Sequence, residues 1–289
     1  MLVFRAVARA GSLSGAAREL GWSQPAVSQQ LQRLEREVGS PLLLRSTRGV
    51  ALTEAGSLLL QRADSIAGAL HMAEEELASL ADLHGGRVRL VAFPSAAATM
   101  APAALKELAR DHPAIEVAMV EAEPPEAWAS IRAGEADLAL VFGYGGPPPD
   151  DGDLTWLPLT VEPVDLVLPP EHPAGSRRAV RLGELARDTW IGGCPRCRQH
   201  LVDRCRQAGF EPALSHETDD YVAVQALVAA GLGVTMLPRS ALRAFQHPDV
   251  VVRQSKALGE RHVGLVYRPG AEQVPATRAL VERLVAVTR

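Results

Sequence analysis

Three cysteines and one histidine lie within a short stretch of the second half of the chain: Cys194, Cys197, His200 and Cys205. Thiolate and imidazole groups are preferred zinc ligands, and four of them suffice for a tetrahedral site. However, zinc sites usually come as two compact ligand pairs. Because Cys205 lies two helical turns beyond Cys197, we predict no metal site in this stretch.

The same stretch suggests thiol redox chemistry at Cys197. Cys197 is predicted near the N-terminus of a helix and lies between Arg196 and Arg198. A helix N-terminus and neighbouring guanidinium groups lower the pKa of a thiol and favour the reactive thiolate. Ordinary reduced cysteines are the alternative, because cytosolic thiols are normally reduced.

Motifs for catalysis are absent from the sequence. It contains no Gly-x-Ser-x-Gly, no His-Glu-x-x-His and no phosphate-binding Gly-x-x-x-x-Gly-Lys. The glycine-rich run at 143–146 lacks the spacing of a dinucleotide site. We therefore predict that the protein is not an enzyme and needs no cofactor.

Amide and guanidinium side chains dominate one face of another predicted helix, which begins after Ser23 and ends at Gly39. Ser23 is a favourable N-cap, and Gly39 is favourable after a helix C-terminus. Helical spacing places four apolar residues on one stripe that is predicted to be buried: Val27, Leu31, Leu34 and Val38. The same spacing places five other residues on the opposite face: Pro25, Gln29, Gln32, Arg33 and Arg36. Glutamine and arginine fit base edges in the major groove and the phosphates beside it.

A short helix is also predicted from 13 to 20, begun by Ser12 or Ser14 and ended by Gly21. Two short helices joined by a tight turn form a helix-turn-helix, whose second helix enters the major groove of DNA. The predicted DNA-reading residues are Ser23, Gln24, Pro25, Ser28, Gln29, Gln32 and Arg33. The alternative is a polar helix face that is merely solvated.

Residues 1 to about 56 resemble the amino-terminal domain of LysR-type transcriptional regulators. The matching segments include Gly11-Ser12-Leu13-Ser14-Gly15-Ala16-Ala17-Arg18-Glu19-Leu20, Ser23-Gln24-Pro25-Ala26-Val27-Ser28, Pro41-Leu42-Leu43 and Leu52-Thr53-Glu54-Ala55-Gly56. The resemblance implies a winged helix-turn-helix over residues 1–52, with Arg45 and Arg48 of the wing against phosphates. A solvated hairpin is the alternative for the wing. The resemblance also implies an inverted-repeat operator and a homotetramer built from two dimers.

A long helix is predicted from its N-cap, Thr53, to about residue 82. Apolar residues recur along it at alternating four- and three-residue steps: Leu59, Ala63, Ile66, Leu70, Ala73, Leu77 and Leu80. This heptad seam predicts pairing with the same helix of a second copy, so residues 53–84 are predicted to be a dimerising linker. Packing within one chain is the alternative.

From residue 87 to 289, predicted strands alternate with predicted helices, which indicates an α/β domain with a mostly parallel sheet. Strands are predicted at 87–93, 115–121, 137–142, 164–168, 213–217, 233–237 and 262–267. The layout resembles the type-2 periplasmic-binding-protein fold of the LysR effector domain. The resemblance implies two α/β subdomains, one of about 87–161 and 264–289 and one of about 162–263, with a ligand cleft between them.

Ligands of open α/β sheets bind beyond the carboxyl ends of strands, where helices begin. The predicted effector-binding residues at such strand ends are Ser95, Ala96, Thr99, Gly143, Thr218 and Asp219, and the resemblance adds Glu123. By resemblance, Ser95 stands where the family commonly holds an effector carboxylate. Glu123 departs from the small polar residue of the family and, with Asp219, favours a cationic or hydroxylated ligand. Helix capping and solvated surface charge are the alternatives for these residues.

Charge is unevenly distributed along the chain, whose formal net charge is −4. Residues 1–53 hold seven arginines and three glutamates, a net +4 that leaves −8 for the remainder. A basic module joined to an acidic domain is typical of a nucleic-acid-binding protein with a second activity. No apolar run approaches the roughly 20 residues of a membrane span, and we expect no signal peptide, so we predict a cytoplasmic protein.

These patterns together predict a sequence-specific transcriptional regulator. Its partners are predicted to be double-stranded DNA, a small-molecule effector and further copies of itself. Two alternatives stay open. One, implied by the resemblance to peroxide-sensing members of the LysR family, which carry two cysteines in this part of the effector domain, is a thiol-redox regulator that uses Cys197 and Cys205. The other is a small-molecule binding protein without a DNA role.

Overall fold

The computed structural model describes residues 1–46, 49–81, 86–146 and 153–288. The chain divides into two compact units, Met1–Glu74 with Arg132–Glu135 and Glu75–Ile131 with Ala136–Arg289. Among the described helices, none is both long enough and apolar enough to cross a membrane.

The first unit is a helix-turn-helix followed by a hairpin and the start of a long helix. Its elements are α1 (Leu2–Ala10), α2 (Leu13–Leu20), α3 (Gln24–Val38), β1 (Leu43–Ser46), β2 (Gly49–Leu52) and α4 (Glu54–Ala81). β1 pairs with β2 in antiparallel register. The core between the helices includes Phe4, Val7, Val27, Leu31 and Leu42. The predicted helices at 13–20 and 24–38 and the predicted wing strands are thus confirmed.

Local capping explains where α2 and α3 begin and end. The Ser12 hydroxyl oxygen accepts a hydrogen bond from the Gly15 amide at 3.0 Å. Gly21 and Gly39 follow the two helices with φ of 67° and 76°, a conformation that costs glycine little. Val38 departs from the prediction because its side chain is 46% exposed. It lies in the last turn of α3, beyond the residues that form the core.

α4 extends over 28 residues, as the sequence predicts. The Thr53 hydroxyl oxygen accepts a hydrogen bond from the Gly56 amide at 2.9 Å, which caps the helix. Of the predicted seam, Ala63 is buried, whereas Ile66, Leu70 and Leu77 are exposed. The predicted seam therefore presents apolar side chains to solvent in a single copy of the chain.

The second unit is an α/β domain. Its strands are β3 (Gly86–Ala92), β4 (Ile115–Glu121), β5 (Leu138–Tyr144), β6 (Thr155–Leu168), β7 (Thr189–Gly192), β8 (Ala213–Glu217), β9 (Thr235–Pro238), β10 (Val251–Gln254) and β11 (Glu260–Tyr267). Its helices are α5 (Pro94–Ala97), α6 (Met100–Asp111), α7 (Pro124–Ala133), α8 (Pro195–Gln207), α9 (Tyr221–Ala229), α10 (Arg239–Ala244) and α11 (Pro275–Val287).

The main sheet is mixed, which corrects the prediction of a mostly parallel sheet. Its strand order is β10-β6-β11-β5-β3-β4, and β9 also pairs with β6. β3 is parallel to β4 and β5, but β11 is antiparallel to both β5 and β6. The two long strands β6 and β11 carry the chain between the halves of the domain in opposite directions, and so impose antiparallel pairing at the centre of the sheet.

Each half of the domain has a hydrophobic core of its own. One core includes Val91, Ile131 and Val141, and the other includes Leu166 and Trp190. We name these halves subdomain I and subdomain II. The strand ends that face the space between them position the candidate effector site.

Candidate functional site

The outward face of α3 is polar and accessible, as the sequence predicts. The predicted DNA-reading residues that are exposed are Ser23, Gln24, Pro25, Gln29, Gln32 and Arg33, while Ser28 is half-buried. The Ser23 hydroxyl oxygen accepts a hydrogen bond from the Ala26 amide at 3.4 Å. A capped helix with its apolar stripe buried holds the amide side chains in one direction, which is the requirement for contact with base edges.

Arg33 is engaged only weakly on this face. Its Nε donates a hydrogen bond to Glu37 Oε1 at 2.9 Å, and both side chains are exposed. Exposed ion pairs contribute about 0–1 kcal/mol, so a phosphate or a base can replace Glu37 as the partner. In the wing, Arg45 belongs to β1 but its side chain lies outside the described part of the structure, as does the whole of Arg48.

A buried arginine at the floor of the cleft is the main feature that sequence patterns did not reveal. Arg261, in β11, is 2% exposed. Its guanidinium donates to Glu162 Oε1 from Nε at 2.9 Å and from Nη2 at 2.5 Å. It also lies over the rings of Phe93 and Phe142, 4.7 and 4.4 Å from their centroids. Burial of this charge is tolerable because a carboxylate and two aromatic faces surround it.

Two serine hydroxyls also accept hydrogen bonds from the Arg261 guanidinium. Nη2 donates to Ser95 Oγ at 2.8 Å and to Ser240 Oγ at 3.0 Å. The amide and hydroxyl of Ser240 in turn donate to the two oxygens of Glu162, at 2.7 and 3.1 Å. Arg261 is therefore neutralised within the protein, and the Ser95 hydroxyl, which was predicted to hold an effector, already accepts a hydrogen bond.

A cavity beside Arg261 lies between the two subdomains. It leaves about 50 Å³ open to the centres of water molecules, which is room for roughly four waters at 10–15 Å³ each. Four predicted effector residues line it: Ser95, Glu123, Thr218 and Asp219. The other three do not: Ala96 and Gly143 are buried, and Thr99 lines a different cavity.

Glu123 carries the unsatisfied polar atom of this cavity. Its Oε2 is buried and has no hydrogen-bond partner among the described residues. Burial raises the pKa of Glu123. A buried acceptor without a partner costs stability unless a donor satisfies it. The cavity therefore favours a ligand that donates a hydrogen bond.

Two thiols face the same cavity at the start of α8. Cys194 is the N-cap of this helix, and its Sγ lies 3.1 Å from Cys197 Sγ. The Tyr144 hydroxyl donates to Cys197 Sγ at 3.4 Å. The hydrogen bond from Cys194 is the largest cause that lowers the pKa of Cys197, and Tyr144 and Arg261 add to it. The hydrogen bond to Cys197 and burial raise the pKa of the partner thiol, Cys194, so the two pKa values are shifted in opposite directions.

Cys205, the other member of the predicted redox pair, lies apart from this cavity. It belongs to the core of subdomain II with 0% exposure, and burial raises the pKa of its thiol to about 12. The Nε2 atom of His200 is engaged elsewhere, 2.7 Å from the carbonyl oxygen of Leu258, and its ring stacks on Tyr144 with centroids 3.8 Å apart. Within the described residues, no group of three potential ligands could hold a metal ion.

Comparison with known proteins identifies both parts of the chain. The model of the bacterial regulatory helix-turn-helix protein, lysR family, matches residues 1–57, and that of the LysR substrate binding domain matches residues 81–289. The chain is 30% identical over 266 residues to the transcriptional dual regulator GltC of Bacillus subtilis, covering 90% of this chain and 87% of that protein.

A second relative and a solved structure extend the comparison. The chain is 31% identical over 289 residues to a probable hydrogen peroxide-inducible genes activator of Mycobacterium avium, covering 96% and 89% of the two proteins. Its fold resembles a full-length OxyR variant from Pseudomonas aeruginosa with a TM-score of 0.70 and 22% identity, covering 98% and 93% of the two chains. Regulators with these two domains bind DNA and effectors and form oligomers, which argues against a binding protein without a DNA role. The chain therefore belongs to the LysR family of DNA-binding transcriptional regulators.

Proposed function

We propose that this regulator places two copies of α3 in successive major grooves of an inverted repeat and that a small molecule in the cleft controls its action on transcription. Dimers would form along α4, where Ile66, Leu70 and Leu77 are 54%, 56% and 67% exposed. An apolar seam of this length needs a partner helix. Two such dimers would give the tetramer, and the protein would work in the cytoplasm with its DNA and catalyse no reaction.

The unsatisfied Oε2 of Glu123 is the observation that carries the proposal of a cleft ligand. Asp219 lines the same cavity, while Arg261 is already paired with Glu162. Among the described residues that line the cavity, a carboxylate effector would therefore meet two acidic groups and no free cation. We propose a small hydroxylated or cationic effector that donates a hydrogen bond to Glu123.

Control would follow from the position of the cavity. Glu123 belongs to subdomain I and Cys194 and Thr218 to subdomain II, and all three line the cavity. A ligand that contacts both halves stabilises one arrangement of the halves over another, and only this difference in affinity can shift the equilibrium. The shift in the effector domain would then change how the linked copies of α3 meet DNA.

Thiol redox control is the second candidate, because Cys197 lies in the same cavity as the proposed effector. A relative with 31% identity is named as a probable hydrogen peroxide-inducible activator, which supports this candidate. The predicted Cys197–Cys205 disulfide would require α8 to unwind. Eight residues of helix rise about 12 Å, whereas the Cα atoms of a disulfide lie within about 7 Å of each other.

Alanine variants on α3 test the DNA-reading face. Gln29→Ala and Arg33→Ala are expected to weaken binding to the DNA upstream of the gene by roughly 5- to 100-fold each, the range for loss of a bidentate base contact. Gln30→Ala is the matched control, since Gln30 is exposed on the flank of the same helix. Fluorescence anisotropy at fixed salt measures the three affinities. Equal affinities for all three variants and the native chain would remove α3 from the interface.

The chemical class of the effector can be tested with a panel of small polyols, amines and carboxylates. Polyols or amines that fit the cavity should raise the Tm of the native chain by several degrees at about 100 times Kd. The shift should persist in Glu126→Ala, which lacks an exposed glutamate on α7, and disappear in Glu123→Ala. Shifts produced by carboxylates alone would contradict the proposed ligand class.

A further inference from the structure

We infer that Cys194 and Cys197 form a dithiol in the effector cleft that a small hydroperoxide oxidises to a disulfide. This inference rests on the proposed control of DNA binding by the cleft, and it assigns a chemical class to the controlling agent. It also replaces the predicted partner of Cys197, since the pair joins Cys197 to Cys194 and leaves Cys205 out.

The geometry of the two sulfurs supports the pairing. Cys194 is the N-cap of α8, and its Sγ accepts a hydrogen bond from the Cys197 amide at 3.4 Å. The two Sγ atoms are 3.1 Å apart, so a disulfide of about 2.05 Å needs an approach of about 1 Å. Rotation of the two side chains provides this approach while α8 keeps its first turn.

The surroundings give the two thiols different roles. Cys197 Sγ lies 3.1 Å from the Cys194 thiol and 3.4 Å from the Tyr144 hydroxyl, which both donate to it. Two donors stabilise a thiolate at Cys197 and make it the nucleophile. Cys194 is buried at 5% exposure beside Glu123 and stays protonated until it reacts. Cys194 is therefore the resolving thiol.

The reaction proceeds in two balanced steps. The Cys197 thiolate attacks the terminal peroxide oxygen, the O–O bond breaks, and the leaving oxygen takes a proton, which yields a sulfenic acid and ROH. The Cys194 sulfur then attacks the Cys197 sulfur, the S–O bond breaks, and water leaves with the Cys194 proton. Two thiols lose two electrons in total, and the hydroperoxide gains them. Glu123, which lines the same cavity as Cys194 and has an unsatisfied Oε2, would accept the Cys194 proton in transit.

The cavity suits a hydroperoxide in size and polarity. Its 50 Å³ is enough for a molecule with two or a few heavy atoms. Hydrogen peroxide donates two hydrogen bonds, so it can satisfy Glu123 while one oxygen faces Cys197. Disulfide formation would remove the acceptor of the Tyr144 hydrogen bond, which joins β5 to α8. Oxidation would therefore change the contacts between the two subdomains. In the proposed function, such a change alters how the linked copies of α3 meet DNA.

Peptide mapping of the oxidised full-length chain tests the pairing. The reduced protein is treated with one equivalent of hydrogen peroxide, free thiols are alkylated, and the chain is cleaved before aspartate. Residues 188–202 then carry Cys194 and Cys197, and residues 203–218 carry Cys205. Trypsin is unsuitable because 197–198 and 205–206 are the same dipeptide, Cys-Arg.

The expected product is peptide 188–202 with two hydrogens fewer and no alkyl group, together with fully alkylated 203–218. A cross-link between the two peptides, or full alkylation of both, would overturn the inference. Cys205→Ala is the matched control and should form the same disulfide. Cys194→Ala should instead accumulate a sulfenic acid at Cys197, which a cyclic diketone traps.

Measurement of DNA affinity distinguishes a failure of this inference from a failure of the proposed function. Peroxide should change the affinity of the native chain and of Cys205→Ala for upstream DNA by at least 5-fold, and should leave Cys194→Ala unchanged. A disulfide that forms without altering DNA affinity would overturn its regulatory role. If no disulfide forms but a polyol or amine alters DNA affinity, the inference fails while the proposed cleft control stands.

Discussion

Glu162→Ala is expected to lower the free energy of unfolding by about 3–5 kcal/mol, the usual cost of breaking a buried ion pair from one side. Glu162 is 7% exposed and is the carboxylate that neutralises Arg261. Its removal leaves a guanidinium that is 2% exposed, with two serine hydroxyls as its acceptors among the described residues. Burial of an uncompensated charge is among the largest single costs that a folded chain can carry.

Urea unfolding followed by circular dichroism measures this loss. Glu260→Ala is the matched control, because Glu260 precedes Arg261 in β11 but is exposed, and its loss should cost less than about 0.5 kcal/mol. The double variant Glu162→Ala with Arg261→Met should recover part of the stability, since it removes both charges together. Equal free energies of unfolding for Glu162→Ala and Glu260→Ala would show that the ion pair contributes nothing to stability.

Leu70→Glu is expected to weaken binding to the complete inverted repeat by about 10²- to 10⁴-fold. Leu70 is 56% exposed on the apolar seam of α4. A glutamate there would place two carboxylates against each other between paired helices and desolvate both. Loss of the dimer separates the two copies of α3. Linking two binding sites can raise affinity by about 10²- to 10⁴-fold, so loss of the link lowers it by the same factor.

Sedimentation velocity and DNA anisotropy on the same samples measure the two consequences of Leu70→Glu. Gln61→Glu adds the same charge on the opposite face of α4, where Gln61 is exposed, and should leave assembly and affinity near those of the native chain. A Leu70→Glu protein that keeps its oligomeric state and its affinity would place the interface elsewhere.

The helices of the first unit could be predicted closely because their signals are local. Ser12 and Ser23 cap α2 and α3, and glycines with positive φ end both helices. The period of apolar residues also identified the inward face. Val38 is the one residue of this stripe that was wrongly predicted to be buried. It lies in the final turn of α3, where the apolar periodicity continues but the hydrophobic core has ended.

The cleft was predictable only in part because its contacts join distant segments. Arg261 and Glu162 are 99 positions apart, and Arg261 and Ser95 are 166 apart. Nothing in the spacing of a lone arginine within an apolar strand reveals which carboxylate it will meet. Glu123, in contrast, was predicted to face the cleft from the resemblance to the LysR effector domain, and it does line the cavity.

The cysteines show the same limit within one segment. The helix start and the flanking arginines, both visible in the sequence, predict Cys197 as the more reactive thiol. The choice between Cys194 and Cys205 depended on which side of α8 faces the core. Cys205 packs into the core of subdomain II, and this packing is a tertiary property.

Binding of the native chain to DNA in a salt series tests the central claim most directly. The probes are the DNA upstream of its gene and a scrambled duplex of equal length, measured from about 50 to 200 mM salt. The account predicts affinity for the upstream DNA at least about 10³-fold tighter than for the scrambled duplex, with both falling as salt rises. Equal affinity for the two duplexes across the series would contradict a sequence-specific regulator.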